Sequence, residues 1–314
     1  MIRCGVLILL FVVYQLWGTS IHTTQAQSDL GRQFKQQQQA ALGASDSAPS
    51  TTADTEAPTG PSSTIAPPKP ADGSLTAPAP GQPIGQITIP RIGADFYMVE
   101  GVDLKWLKEG PGHFPSTPLP GQAGNAAIAG HRTTYKAPFN RIDELEPGDQ
   151  ITITTLQGTF TYQVLPQASS DSNNPASPAL GHRIVTPSQV EILADKGDNR
   201  LTLMACNPKY SARQRIVVEA VLVGNPAPTT PRATTEAPAE LPDNGLAGGD
   251  PSARGTAILW SLVALLIWFA AWYLSKRRLH GWWRVAPYVV LLPFFTVALY
   301  ASFENITRLL PGAY

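Results

Sequence analysis

Two side chains in the middle of this sequence have the types needed for nucleophilic and acid–base chemistry. Cys206 ends the apolar run RLTLMAC and is followed by Asn-Pro, and His131 ends the apolar run NAAIAGH and is followed by a polar loop. Each lies where a strand gives way to a loop, and reactive groups are often held at such places by a rigid scaffold. A thiolate can attack a carbonyl carbon, and an imidazole can protonate the leaving group. The alternative for Cys206 is an inert cysteine buried in a β core.

Two arginines close to the cysteine can contribute a third function. Arg213 and Arg215 begin the last predicted strand, and their spacing of two predicts that they share one face of it. An arginine beside a thiolate can hold a carbonyl oxygen as negative charge develops there. The two other histidines of the central region, His113 and His182, lie in Gly/Pro-rich and Asn/Pro/Ser-rich loops, which predicts that they are solvated.

The composition excludes several other classes of protein. Lys and Arg together number 23, as do Asp and Glu, so no net charge points to nucleic acid as a partner. No P-loop and no GxGxxG motif is present, and no metal or nucleotide cofactor is predicted. The second of the 2 cysteines, Cys4, lies in an N-terminal apolar run, so a disulfide framework is excluded.

The elements that must position these side chains are mainly strands. Residues 84–224 carry short alternating apolar runs separated by turn signals, which predicts about eight strands in a closed β-barrel with short helices. The predicted strands are 85–90, 95–101, 125–132, a hairpin over 150–165 around Gln157-Gly158, the start of 183–193, 200–206 and 213–224. The predicted helical segments are 103–110, 138–149 and the end of 183–193.

Segments on both sides of this domain differ sharply in composition. Residues 43–83 and 225–255 are rich in Pro, Ala, Thr and Ser and poor in large apolar side chains, which predicts disordered tethers. Residues 22–42 form a polar juxtamembrane segment.

Three apolar runs predict attachment to a membrane. We expect residues 1–21 to be an uncleaved N-terminal anchor, and residues 256–274 and 285–302 to be transmembrane helices. The loop 275–284 between them is basic, which predicts that it is cytoplasmic. The domain at 84–224, both tethers and the tail 303–314 are then extracellular.

The motifs around the candidate site resemble those of the sortases, which are membrane-anchored cysteine transpeptidases. The sortase pattern Thr-Leu-X-Thr-Cys is matched by Thr202, Leu203, Met204 and Cys206, with Ala205 in place of the second Thr. The longer strings AGHRTTYKAPFNRIDELEPGD and CNPKYSARQRIVVEA are most similar to class E sortases of high-GC Gram-positive bacteria. The resemblance covers roughly residues 83–224.

This resemblance implies a fold, a reaction and partners. The fold is an eight-stranded sortase-type β-barrel. Cys206 is the nucleophile, His131 the acid that protonates the leaving amine, and Arg215 the oxyanion donor, with Arg213 as second choice. The substrates are secreted proteins with a C-terminal sorting motif of the LAxTG or LPxTG type. The acceptor is an amine of a peptidoglycan precursor or of a pilin, and no cofactor is required.

Three alternatives remain open from the sequence. One is a pilin-polymerising class C sortase, and another is a secreted cysteine protease that uses water as acceptor. The third is a non-enzymatic, wall-spanning membrane protein in which Cys206 is inert. The string LPDNG at 241–245 also imitates a sorting motif, with Asn where Thr is expected, but Pro-rich tethers produce such matches by chance.

Overall fold

The computed structural model of the protein describes the catalytic-domain candidate and three long helices. The described residues are 10–12, 14, 18–45, 77–167, 180–209, 211, 213–230, 252–276 and 281–309. Most of both predicted tethers, most of the predicted N-terminal anchor, the LPDNG string, the centre of the basic loop and the C-terminal end lie outside the described residues.

Nine strands form one sheet in the described part of the chain. Alternation of β-branched and polar residues accounts for most of them, and glycine or proline ends them. The strands are β1 (Pro83–Ile89), β2 (Ala94–Glu100), β3 (Gly112–His113), β4 (Asn125–Ala129), β5 (Gln150–Thr155), β6 (Gly158–Val164), β7 (Arg183–Val185), β8 (Arg200–Asn207) and β9 (Gln214–Val223).

Eight of these strands close into a barrel. The sheet order is β6-β5-β1-β2-β3-β4-β8-β9-β7. A further pairing of β6 with β9 closes the eight strands from β6 to β9 into a ring. The ninth strand, β7, pairs only with the start of β9 and lies outside the closed ring. The prediction of a closed eight-stranded barrel is confirmed, while the two-residue strand β3 was not predicted.

The short helices are smaller than the sequence predicted. Helix α2 (Leu104–Leu107) is a single turn within the predicted segment 103–110. Only a 3-10 turn at Ile142–Glu144 forms within the predicted helix 138–149, which was therefore too long. A second 3-10 turn, Val190–Leu193, follows β7 as predicted. Gly and Pro close to each segment leave no room for further turns.

The alternation of side chains divides the core into two parts. Inside the barrel, Ile128, Leu203, Ala205 and Ile216 belong to the main hydrophobic core. Their sequence neighbours point the other way. A second, smaller cluster lies on the outer face of β4, β8 and β9 and includes side chains from the surrounding loops. Its members are Val102, Leu107, Phe114, Ala127, Ala129, Val185, Ile192, Leu193, Met204, Cys206 and Val217.

A 27-residue helix, α1 (Thr19–Ser45), packs against β1 and β2 of the barrel. Its face toward the barrel is made of the buried Thr23, Leu30 and Phe34 and the half-buried Gln27, which follow the helical spacing of four, three and four. The Gln27 side chain donates to the Tyr97 carbonyl (2.9 Å) and accepts from the Tyr97 amide (2.8 Å). The sequence analysis treated residues 22–42 as a polar segment without predicting this helix.

Two further helices are long and apolar enough to span a membrane. They are α3 (Ala253–Lys276) and α4 (Ala286–Leu309), and only 17% of the most apolar stretch of each is buried in the protein. The two helices pack against each other through hydrogen bonds of Thr256 with Asn305 (2.8 Å) and of Ser261 with Ser302 (2.7 Å). They contain the two apolar runs that the sequence analysis assigned to the membrane.

Candidate active site

Three neighbouring strands bring the predicted site residues into one row. Strands β4 and β8 are parallel, with Ala129 opposite Met204, and the Gly130 amide continues the ladder by donating to the Met204 carbonyl (3.0 Å). His131 and Cys206 each lie two residues beyond that pair. On the other side of β8, Cys206 is the direct cross-strand partner of Arg215.

The row faces away from the barrel interior. Because side chains alternate along a strand, Cys206 points to the same side as Met204, and Arg215 to the same side as Val217. Met204, Cys206 and Val217 all belong to the outer cluster. The candidate site is therefore on the outer face of the β4–β8–β9 floor, beside the side chains that α2 and the Val190–Leu193 turn contribute.

The two arginines differ in a way that the sequence analysis did not predict. Arg215 lies within β9 and is fully buried, whereas Arg213 precedes the strand and is exposed. The expectation that they share one strand face is wrong, because regular pairing begins only at Gln214. The Nη1 atom of Arg215 donates to the Gln214 carbonyl (3.0 Å). Of the two, Arg215 is the one placed beside the cysteine.

His131 is held by its neighbours in the loop after β4. Its backbone carbonyl accepts from the Phe139 amide (3.1 Å), and its ring lies 4.9 Å from the Tyr135 ring. Gly130 is required just before it, since a Cβ there would be 2.6 Å from the Phe139 ring. Only 2% of His131 is exposed, and its Nε2 atom is buried without a hydrogen-bond partner among the described residues.

The loop beside His131 has a strained backbone. Tyr135, Lys136 and Ala137 have φ values of 53°, 60° and 42°, in the left-handed region that costs L-residues about 1–2 kcal/mol each. Such runs occur where the surrounding structure holds them, and they cluster at functional sites. Here the Tyr135 amide donates to the hydroxyl of Thr19 at the start of α1 (3.5 Å). The strained loop thus joins the candidate site to the N-terminal helix.

Burial determines the protonation of the pair. Burial lowers the pKa of His131 to about 4, and the positive charge of Lys108 adds to the effect. Burial raises the pKa of the Cys206 thiol, while the guanidinium groups of Arg215 and Arg132 partly oppose that rise. At neutral pH the site therefore holds a thiol and a neutral imidazole, and the thiolate–imidazolium form is a minority.

The structure adds one residue that sequence reasoning missed. Arg132 is 5% exposed, and its Nη1 atom donates to the Cys206 carbonyl (3.2 Å) and to Oδ1 of Asn207 (2.7 Å). Its Nη2 atom pairs with Asp143 (3.1 Å). Its place directly after His131 was visible in the sequence, but an arginine following a strand is ordinarily solvated, so the signal was weak.

The two other histidines are more buried than predicted. His113 is fully buried in β3, where Nδ1 is 2.9 Å from Glu100 and Nε2 is 2.8 Å from the Pro118 carbonyl. This pair fastens β3 to β2 within the protein interior. His182 is half-buried, and burial lowers its pKa. Gly112 and Gly181 beside them mark close packing, because a Cβ at either position would collide with a backbone carbonyl. Most of the Asn/Pro/Ser-rich stretch before His182 lies outside the described residues.

Known proteins share this domain. Residues 87–223 match the family model of the sortase domain. Sortase D of Bacillus subtilis is 35% identical over 92 residues, which cover 29% of this chain and 45% of that protein. Sortase SrtE1 of Streptomyces coelicolor is 35% identical over 101 residues, which cover 31% of this chain and 26% of that protein. The matches thus span less than half the length of either relative.

A solved structure covers more of its own chain. The SrtF sortase from Corynebacterium diphtheriae is 29% identical over 56% of this chain and 97% of that one, with a TM-score of 0.43.

The fold, the motif order and the domain match agree with one another. Residues 87–223 match the sortase domain, and this match covers less than half of the chain. The relative named SrtE1 is consistent with the class E resemblance of the AGHR and Cys-Asn-Pro strings.

Proposed function

We propose that the protein is a membrane-anchored cysteine transpeptidase that joins secreted proteins to an amine at the cell surface. The observation that carries the proposal is the row of His131, Cys206 and Arg215 across three adjacent strands of the barrel. A nucleophile, an acid and an oxyanion donor on one strand face can act on the same peptide bond.

The first half of the reaction forms a thioester. The Cys206 thiolate attacks the carbonyl carbon of the Thr in an LAxTG or LPxTG motif, and the carbonyl oxygen becomes an oxyanion that Arg215 stabilises. The C–N bond then breaks, and the departing glycine amine takes its proton from the His131 imidazolium. The substrate is left as a thioester on Cys206.

The second half regenerates the enzyme. An amine of a peptidoglycan precursor or of a pilin attacks the thioester carbonyl and gives up a proton to the neutral His131. The new amide bond forms as the Cys206 thiolate leaves.

We also propose that the barrel domain lies on the extracellular side of the membrane. The barrel adjoins the C-terminal end of α4, since Lys108 and Glu109 line one cavity with Glu304 and Arg308. The domain and the end of α4 therefore belong on one side of the membrane. The basic loop between α3 and α4 favours the cytoplasm for the opposite ends, so the domain is extracellular.

The test is ligation by the full chain in detergent micelles. It is incubated with LAxTG and LPxTG peptides and with triglycine or a lysine-bearing peptide, and the products are identified by mass. The proposal expects a product in which the acyl part of the motif is joined to the amine. Hydrolysed peptide alone, at every amine concentration, would support the cysteine protease instead.

A further inference from the structure

Arg132 connects the loop of the candidate acid to the strand of the candidate nucleophile. It follows His131 directly, and its guanidinium reaches across to the end of β8, where it bonds to the Cys206 carbonyl and the Asn207 side chain. Asp143 holds the opposite side of the same guanidinium. The planar fork of arginine can make these bonds together, whereas a lysine ammonium is a compact point charge without a fork.

The backbone of Arg132 is fixed as well. Its carbonyl accepts from Nδ2 of Asn140 (2.8 Å), so both ends of the residue are held within the loop 131–143. With 5% exposure and partners on two elements, Arg132 is not a surface charge that solvent could replace. A displacement of this loop relative to β8 would break its bonds to the Cys206 strand end.

We propose that Arg132 is a positioning residue for the transpeptidation reaction, which holds the exit of β8 so that the Cys206 sulfur stays aligned with His131. This inference rests on the proposed function, because it needs Cys206 as nucleophile. Arg132 acts through the Cys206 backbone and the Asn207 side chain, and Arg215 keeps the role at the oxyanion. His131 and Arg132 are adjacent in one loop, and in this proposal the first is the acid and the second positions the nucleophile Cys206.

The charge of Arg132 supports the same role. It lies close enough to lower the pKa of the Cys206 thiol against the effect of burial. Asp143 keeps its own charge beside it: partial burial works against ionisation, but a backbone hydrogen bond and the Arg132 guanidinium lower the pKa of Asp143 below its usual range. The Arg132–Asp143 pair is therefore charged at neutral pH.

The experiment separates alignment from charge and from stability. Full-length protein carrying Cys4→Ala, so that Cys206 is the sole thiol, is prepared with Arg132→Lys, Arg132→Gln or the control Arg141→Gln. Arg141 lies in the same loop region but is exposed and pairs only with Glu144 among the described residues. Iodoacetamide alkylation against pH gives the thiol pKa, single-turnover acylation of a sorting peptide gives alignment, and thermal unfolding monitors the fold.

We expect Arg132→Lys to slow acylation by about 100-fold, which is the cost of misplacing a reacting atom by about 1 Å. Its alkylation profile should match that of the parent, because the charge is kept. Arg132→Gln should slow acylation as much and also move the alkylation profile up by about one pH unit. Arg141→Gln should match the parent in both readouts.

Acylation by Arg132→Lys within twofold of the parent would overturn the inference, even if Arg132→Gln does not fold. A parent protein that forms no acyl-enzyme refutes the proposed function, and the positioning role falls with it. A parent that acylates normally beside an unaffected Arg132→Lys refutes the positioning role alone.

Discussion

At the scale of single residues, the site combines reactive side chains with an environment that keeps them neutral. Burial brings the pKa of His131 to about 4 and raises that of Cys206. The active form needs a thiolate and an imidazolium at once, so its fraction is nearly constant between the two pKa values. It falls below the pKa of His131, where the thiolate is lost, and above that of Cys206, where the imidazolium is lost.

The acylation rate should therefore show a broad plateau from about pH 4 to beyond the ordinary thiol range. Removing the charge of Lys108 should raise the pKa of His131, since that charge disfavours the imidazolium. We expect Lys108→Gln to move the acidic limb to higher pH and to raise the plateau about two- to fivefold, as about 0.5–1 kcal/mol would give.

The matched control is Lys105→Gln, whose charge lies over the Trp106 ring and does not act on His131. The measurement is single-turnover acylation from pH 3.5 to 10. A plateau that is unchanged in Lys108→Gln, or changed equally in both variants, would show that Lys108 does not influence the histidine.

The register of β8 and β9 separates the two arginines. Arg215 is buried opposite Cys206, whereas Arg213 is exposed. Arg215→Lys keeps the charge but loses the two aligned donors of the fork, so we expect acylation to slow by about 100- to 1000-fold. Arg213→Lys, the matched control, should change the rate little. A large loss in Arg213→Lys alone would mean that the oxyanion donor is assigned to the wrong arginine.

At the scale of elements, the strands were predictable and the long N-terminal helix was not. Alternation of Ile with polar residues specifies β1 and β5, a run of apolar residues specifies β9, and a two-residue turn specifies the β5–β6 hairpin. Helix α1 turns a mixed face to the barrel, with Thr23 and Gln27 followed by Leu30 and Phe34, so no continuous apolar stripe marks it. The two-residue strand β3 is too short for a sequence pattern, and it is defined by its pairing with β2 and β4.

The same reasoning explains what was predicted of the site. Cys206 and His131 were identified because each ends an apolar strand, which is a local signal. The contacts of Arg132 depend on bringing residues 132, 143 and 207 together, and the burial of Arg215 depends on where strand pairing begins. Those are long-range facts, and a single sequence does not encode them locally.

Helix α1 should depend on Phe34 for its attachment to the barrel. Phe34 is 2% exposed and its ring lies 6.0 Å from that of Tyr97. Phe34→Ala should cost about 3 kcal/mol of packing, which corresponds to about 100-fold faster opening of α1. Hydrogen exchange of amides 23–41 measures this, with the exposed Lys35→Ala as control. Equal exchange in both variants would mean that α1 is not held through Phe34.

At the scale of the whole molecule, the barrel and the membrane helices form one arrangement around the candidate site. The strained loop beside His131 contacts Thr19 of α1, and the cavity next to Lys108 is completed by the end of α4. The start of α1 and the end of α4 therefore lie close to the loop that carries His131, which would hold the barrel near the surface of a membrane that α3 and α4 cross.

The orientation of the chain gives a prediction at this scale. Reporter fusions at position 279 and after Tyr314 should give opposite results, cytoplasmic for the first and extracellular for the second. The reason is the basic loop 275–284, which positive-inside retention keeps in the cytoplasm. A fusion within the tether at position 240 is the control and should match the one after Tyr314. The same side for positions 279 and 314 would contradict the hairpin.

The central claim is that Cys206 carries the acyl group of the substrate. The measurement is the mass of the full-length protein, mixed with a sorting-motif peptide and quenched in acid before amine is added. We expect a gain equal to the acyl fragment, located on the peptide that contains Cys206. We expect neither adduct nor ligated product from Cys206→Ala, with an unchanged unfolding temperature. Ligation by folded Cys206→Ala, or an adduct on another residue, would contradict it.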